Sequence, residues 1–162
     1  MINYTPKTSI ELAINTEKKG AKFYSKLADK FSNDSVVKEV FLQLANDEGD
    51  HERQFCKILE TMPDEGKIIH DENQIALLQV TSAPEFFKPE ALNVDQGLTR
   101  EDALLNALEF EKSSLLHYMT LNEILNNEWL KAIIYTEKSH VRALIKTIIS
   151  GAKFRSLSDT WA

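Results

Sequence analysis

The sequence has 162 residues, of which 43% are hydrophobic and 27% charged, and a formal net charge of −6. This describes a globular protein with one core, read as a single domain over residues 1–162; the acidic balance and the lack of a Lys/Arg stripe exclude a nucleic-acid footprint. A lone Cys56 excludes an internal disulfide and any metal module of four cysteines, and no apolar run approaches the ~18–20 residues of a membrane span.

The first long helix is expected at about 9–31, opened by a capping box read at Thr8-x-x-Glu11. Its apolar seam runs Ile10, Ile14, Glu17, Ala21, Tyr24, Ala28, Phe31, so Glu17 occupies a core position. A short polar break at Ser32 to Ser35 makes the second helix, at about 35–62, an antiparallel neighbour of the first. The second seam is Val37, Phe41, Leu44, Glu48, His51, Phe55, Ile58, Met62, which is heptad spacing with Glu48 and His51 where Leu or Ile belongs. Pro63 stops that helix.

Residues 63–98 hold Pro63, Gly66, Pro84, Pro89 and Gly97, and read as a crossover running the length of a helix bundle. An apolar patch from Ile75 to Val80 is expected to form a short helix within it. The third long helix, about 100–125, starts at Thr99-x-x-Asp102 and has the seam Leu104, Leu108, Glu111, Leu115, Tyr118, Asn122, Leu125. The fourth, about 128–150, follows Asn126-Asn127 and has the seam Leu130, Ile133, Glu137, His140, Leu144, Ile148, with Gly151 read as a C′ glycine. A tail, 152–162, carries Phe154, Leu157 and Trp161, expected to pack on the core edge or in a dimer contact.

The chain repeats itself. Glu17 and Tyr24 recur as Glu111 and Tyr118 at an offset of 94, within Ala-(Ile/Leu)-x-x-Glu-Lys on both helices. Glu48-x-x-His51 recurs as Glu137-x-x-His140 at an offset of 89. The result is two helix hairpins, each with one core Glu on its first helix and a Glu-x-x-His pair on its second. Packed face to face, they bring Glu17, Glu48, His51, Glu111, Glu137 and His140 to one level. Four carboxylates cannot share a dry core unaided, but two divalent cations would balance them with both His neutral. Residues i and i+3 lie on one helix face, so each Glu-x-x-His pair can reach one ion. This is the constellation of di-iron and di-manganese carboxylate bundles. Carboxylate and imidazole ligands suit iron or manganese, and also zinc. On spacing, Glu48/His51 hold one ion and Glu137/His140 the other, with Glu17 and Glu111 bridging or capping. Tyr24 and Tyr118 each lie two turns past a Glu on the same face, and can pack in the core while donating to a carboxylate of the opposite hairpin.

Over residues about 8–150 the sequence resembles the rubrerythrin-type, ferritin-like family, on the strength of Ala-x-x-x-Glu-Lys followed by Tyr and the two Glu-x-x-His pairs. The resemblance implies an all-α, antiparallel four-helix bundle with a long crossover between the second and third long helices. It implies a di-iron centre ligated by the six residues, and oxidoreductase chemistry with hydrogen peroxide or dioxygen as a response to oxidative stress. No catalytic residue is expected beyond the metal centre. Full rubrerythrins carry a four-cysteine rubredoxin domain that a single Cys cannot build, so electrons would come from an external donor protein. They also carry an extra ligand Glu three residues after the Glu of the third long helix, where this chain has Ser114. An iron-binding or iron-storage role without turnover is the alternative, although His140 is foreign to the usual ferritin centre. Relatives are often dimers, so a homodimer is expected.

Four further expectations follow. The N-terminus, Met1 to Lys7, lacks the apolar core of a signal peptide, which points to the cytoplasm. His117 falls off its helix seam and is expected at the rim, and His70 in solvent. Cys56, beside a seam, is expected as a small buried hydrophobe. Asp47, Asp50 and Glu109 flank the six residues but point elsewhere on the helical wheel, as a solvated or supporting face.

Overall fold

A computed structural model describes residues 5–62, 69–81, 94 and 97–159, the last eight of them by backbone alone. Its elements are α1 (Pro6–Lys30), α2 (Ser35–Thr61), α3 (Glu72–Thr81), α4 (Arg100–Leu125) and α5 (Glu128–Asp159), with no strand among the described residues.

Helix ends are set by local polar chemistry. The α1 capping box lies one turn earlier than expected. Thr5 is the N-cap, its hydroxyl accepting from the Thr8 N–H at 3.1 Å while the Thr8 hydroxyl accepts from the Thr5 N–H at 3.0 Å. Pro6 sits in the first turn, where a missing N–H costs nothing. Asp34 caps α2 by accepting from the Val37 N–H, and Thr99 caps α4 by accepting from the Asp102 N–H, both at 3.1 Å. Asn126 ends α4 in the left-handed region at φ 45°, and Asn127 opens α5 by accepting from the Trp129 N–H at 2.8 Å.

α5 does not stop at residue 150. Gly151 is helical, no described glycine has positive φ, and residues 152–159 contain no Pro or Gly to break the helix. Gly151 lies against the Arg100 guanidinium and does not cap the helix. Trp161 lies outside the described residues, as do 63–68, 82–93 and 95–96 of the crossover. The expected short helix in the crossover is α3, which packs on α4 through the fully buried Leu78.

The four long helices pack as a ring, α1 on α2, α2 on α5, α5 on α4 and α4 on α1. Tyr24, late in α1, meets Glu111, whereas the earlier Glu17 meets the later Tyr118, so α1 and α4 are antiparallel. Arg100 Nε donates to Asp34 Oδ2 at 2.8 Å, which pins the starts of α2 and α4 to the same end. That parallel pairing is why the chain needs a crossover. The described residues form an all-α bundle of four long helices with a crossover between α2 and α4.

The core is split. One apolar cluster contains Phe23, Leu27, Phe41, Leu44, Phe110 and Leu144; the other contains Ile10, Phe55, Ile58, Leu121, Leu130 and Ile133. The buried Glu and His residues form a layer between them. α2 buries the expected seam from Val37 to Ile58 and no other residue. α4 buries more than its seam: Ala103, Ala107, Phe110, Ser114, His117 and Leu121, at steps of 4, 3, 4, 3, 4, form a second buried stripe. His117 is therefore not a rim residue. It is 4% exposed, and its Nδ1 is 2.9 Å from the Thr81 hydroxyl of α3. Burial pushes its pKa down to about 4, so it is neutral. Cys56 is half-buried rather than buried, and His70 is exposed.

Candidate metal centre

The two hairpins bring all six Glu and His residues together at the middle of the bundle. None exceeds 4% exposure. Their ligating atoms fall into two groups of four, each with all atoms within 4.8 Å of one another: Glu17, Glu48, His51 and Glu137 in one, and Glu48, Glu111, Glu137 and His140 in the other. Glu48 and Glu137 belong to both groups. They, rather than Glu17 and Glu111, are placed to bridge two ions, while Glu17 and Glu111 each serve one end. The two imidazole centroids are 5.6 Å apart.

Four buried carboxylates need balancing positive charge, from protons or from cations. Glu17 Oε2, Glu48 Oε1 and Glu137 Oε2 are buried without a hydrogen-bond partner, and Glu137 Oε1 faces His51 Nδ1 as an ion pair at 2.9 Å. Such atoms cost about 1–3 kcal/mol each, and more when charged. Burial, then repulsion from Glu17 and Glu111, holds Glu48 well above the usual carboxylate range. Burial and the charge of Glu137 raise Glu111 to about 8, against the pull of His140. Glu137 lies between both rings; burial opposes its charge, but His140 and His51 outweigh that and lower it to about 2. Burial also opposes charge on the two imidazoles. The carboxylates Glu137 and Glu17 overcome it and raise His51 to about 9, while Asp47, Glu111 and Glu137 raise His140 to about 12. The metal-free layer is thus a store of protons on Glu48, Glu111 and both His residues, which cations would displace. Orphaned, converging oxygen and nitrogen donors of this kind fit a pair of divalent metal ions.

Supporting groups hold the layer in place. The Tyr24 hydroxyl donates to Glu111 Oε1 at 2.5 Å, and the Tyr118 hydroxyl donates to Glu17 Oε1, each across the α1–α4 interface. Burial lifts both phenols well above their ordinary pKa, so they stay donors. Asp50 and Glu109 are more than half exposed and pair with Arg53 and Lys112 on the surface. Asp47 is different. It is 22% exposed, and its Oδ2 accepts from His140 Nε2 at 3.0 Å.

Gly20 was not singled out from the sequence, and Asp47 only as one of three polar residues flanking the six. Gly20 lies where a Cβ would stand 3.3 Å from Glu48 Oε2, so a larger residue would press on that carboxylate. Its spacing of three from Glu17 was the available signal. The role of Asp47 toward His140 was legible only as a polar residue beside a ligand-type Glu.

The sequence profile of the Rubrerythrin family matches residues 9–148. The chain belongs to the rubrerythrin family. Among solved structures, its fold is similar to that of a protein from Thermotoga maritima described as a ferritin-like diiron-carboxylate protein. The TM-score is 0.68 and the identity 23%, over 93% of this chain and 99% of the other. No curated protein sequence matches significantly. Family membership and the buried carboxylate/His layer together fit this rubrerythrin relative as a di-metal protein. No helix among its described residues is long and apolar enough to cross a membrane.

Proposed function

We propose that the chain is a non-haem di-iron oxidoreductase that reduces hydrogen peroxide, or reacts with dioxygen, using electrons from a separate donor protein. The observation that carries this reading is the pair of four-residue donor groups sharing Glu48 and Glu137. Rubrerythrin-family membership favours iron over the manganese or zinc that the same ligands accept. Glu17, Glu48, His51 and Glu137 would hold one ion, and Glu48, Glu111, Glu137 and His140 the other.

Two ferrous ions held there would supply one electron each, which with two protons is what hydrogen peroxide needs to become two waters. The chain's own part is positional. Glu48 and Glu137, common to both donor groups, would hold both ions, and Glu17 and Glu111 one each. Tyr24 and Tyr118 fix those end carboxylates from across the bundle, each holding its proton on the phenol oxygen. The apolar clusters on either side exclude bulk water from the layer.

The test is iron per chain after anaerobic ferrous loading and desalting, followed by peroxide-driven oxidation with a reductant present. The expected result is about two irons per chain, retained through repeated turnovers and lost in Glu48→Ala. Continued uptake far beyond two per chain would favour iron storage instead. No retained iron would end both readings.

A further inference from the structure

The two ion positions have the same ligand types, but their imidazoles are not held alike. His140 is held from both sides. Its Nδ1 is 3.0 Å from Glu111 Oε2 inside the layer, and its Nε2 donates to Asp47 Oδ2, also at 3.0 Å. A carboxylate only accepts, so Nε2 keeps its hydrogen against Asp47, and Nδ1, whose proton a cation would displace, is the nitrogen turned inward to offer a lone pair. Asp47 is itself braced by the Gln43 amide at 3.0 Å.

His51 has no such brace. Its Nδ1 faces Glu137 Oε1 at 2.9 Å and Glu17 Oε2 at 3.6 Å. Among the described residues nothing bonds its Nε2. The repeat explains why. At the offset of 89 that maps Glu48 to Glu137, Asp47 maps to Thr136. The Thr136 hydroxyl is turned back onto its own helix, donating to the Ala132 carbonyl at 3.3 Å. One copy of the motif supplies a carboxylate to the other copy's imidazole, and the favour is not returned.

We infer that Asp47 is a positioning residue that makes the two metal positions unequal: the ion held by Glu111 and His140 binds first and more tightly, and the ion held by Glu17 and His51 is the exchangeable one. The inference rests on the di-metal reading above. The physical reason is that Asp47 fixes the tautomer and ring orientation of His140 and makes its Nδ1 more basic, and it does so through the nitrogen that the ion does not use. His51 must be ordered by the ion itself.

Cobalt(II), titrated into the full chain and read by its visible absorption and by competition with a chelator, tests this without any turnover. Wild type should fill in two steps at least tenfold apart. Glu111→Gln should abolish the tighter step and Glu17→Gln the weaker one. Asp47→Ala should weaken the tighter step by about 10- to 100-fold and leave the weaker one in place. Asp47→Asn should recover part of the loss, because its amide oxygen still accepts from Nε2–H. Thr136→Asp should strengthen the weaker step and bring the two together. It also carries the test alone if Asp47→Ala does not fold. Two equal steps in wild type, or an Asp47→Ala effect spread equally over both, would overturn the inference and leave the di-metal reading standing. No bound cobalt at all would overturn both.

Discussion

The α1–α2 and α4–α5 hairpins are copies in their chemistry and differ in their surroundings. Each presents a Glu, a Tyr two turns later, and a Glu-x-x-His pair. Outside that set they diverge. Gly20 of the first corresponds to Ser114 of the second, Phe23 to His117, and Asp47 to Thr136. α3 covers the second hairpin through α4. The repeat therefore fixes which residues meet at the layer, and the differences outside it decide how each half is held. The two halves share the ligand-type positions, where four buried carboxylates must be balanced together. The positions one residue or one turn away answer only to their own neighbours.

The sharpest way to break the symmetry is to remove shared and unshared carboxylates in turn. Glu48→Ala or Glu137→Ala should abolish binding of both ions. Glu17→Ala or Glu111→Ala should leave about one ion per chain. Elemental analysis after loading and desalting decides it. Equal losses from all four variants would mean that Glu48 and Glu137 do not bridge. In the metal-free protein, Glu48→Ala should melt no lower than wild type, because it removes a buried group that cannot be charged without cost.

The second test is the response of the metal-free layer to alkali. Glu111, at about 8, and His51, at about 9, hold protons in the folded state more tightly than when unfolded. The folded state therefore binds more protons than the unfolded state, and stability falls as pH rises. For Glu111 the contribution is complete below its unfolded pKa and lost through about 8; for His51 it is complete below about 6.5 and lost through about 9. Chelator-treated protein should lose melting temperature steadily from pH 7 to about 9.5. Metal-loaded protein should not, because the ions replace those protons. Parallel curves for the two forms would refute the proton store.

A third comparison sets Gly20 against Ser114. A methyl at Gly20 would press on Glu48 Oε2 from 3.3 Å, and that oxygen belongs to a carboxylate placed for both ions. Gly20→Ala should cost about 1–3 kcal/mol of stability or weaken metal binding at both positions. Ser114→Ala should do neither, since Ser114 carries no hydrogen bond to the layer among the described contacts. Thermal melting and cobalt titration of the two variants together separate crowding from a general sensitivity of α1 and α4.

Most of the bundle was readable because burying one seam per helix leaves a period that the eye can count. α2 is the clear case: every residue it buries lies on the seam that includes Glu48 and His51. α4 is the opposite case. It touches three partners, α1, α3 and α5, and so buries two stripes. The stripe through Ser114 and His117 had its own 4-3-4-3-4 spacing, but small and polar residues hid it. The ends failed for local reasons. Thr8 does take part in a capping box, but as the inner member, since Thr5 and Pro6 together make the earlier start. Gly151 looked like a helix stop because glycine usually is one there, but its backbone stays helical and α5 runs on. Which carboxylates are shared could not be read from spacing, because the i, i+3 rule says what one helix face offers and nothing about where two faces overlap.

The smallest expected effect makes the second hairpin resemble the first at one place, His117→Phe, the residue its counterpart Phe23 already is. The Thr81 hydroxyl donates to the Leu77 carbonyl at 2.6 Å, so it can only accept from His117 Nδ1, which must carry the hydrogen. Removing that bond should cost about 1 kcal/mol at neutral pH, while Thr81 keeps its helix bond. The more telling signal is in acid. The folded pKa of about 4 lies below the unfolded value, so His117 contributes stability above pH 6.5 that is lost as pH falls toward 4. His117→Phe should remove that part of the acid slope. Melting temperatures of both proteins from pH 7 to 4.5 would then converge or cross. A constant gap across that range would mean that His117 takes up its proton without disturbing α3, and that the contact with Thr81 is incidental to how the second half is covered.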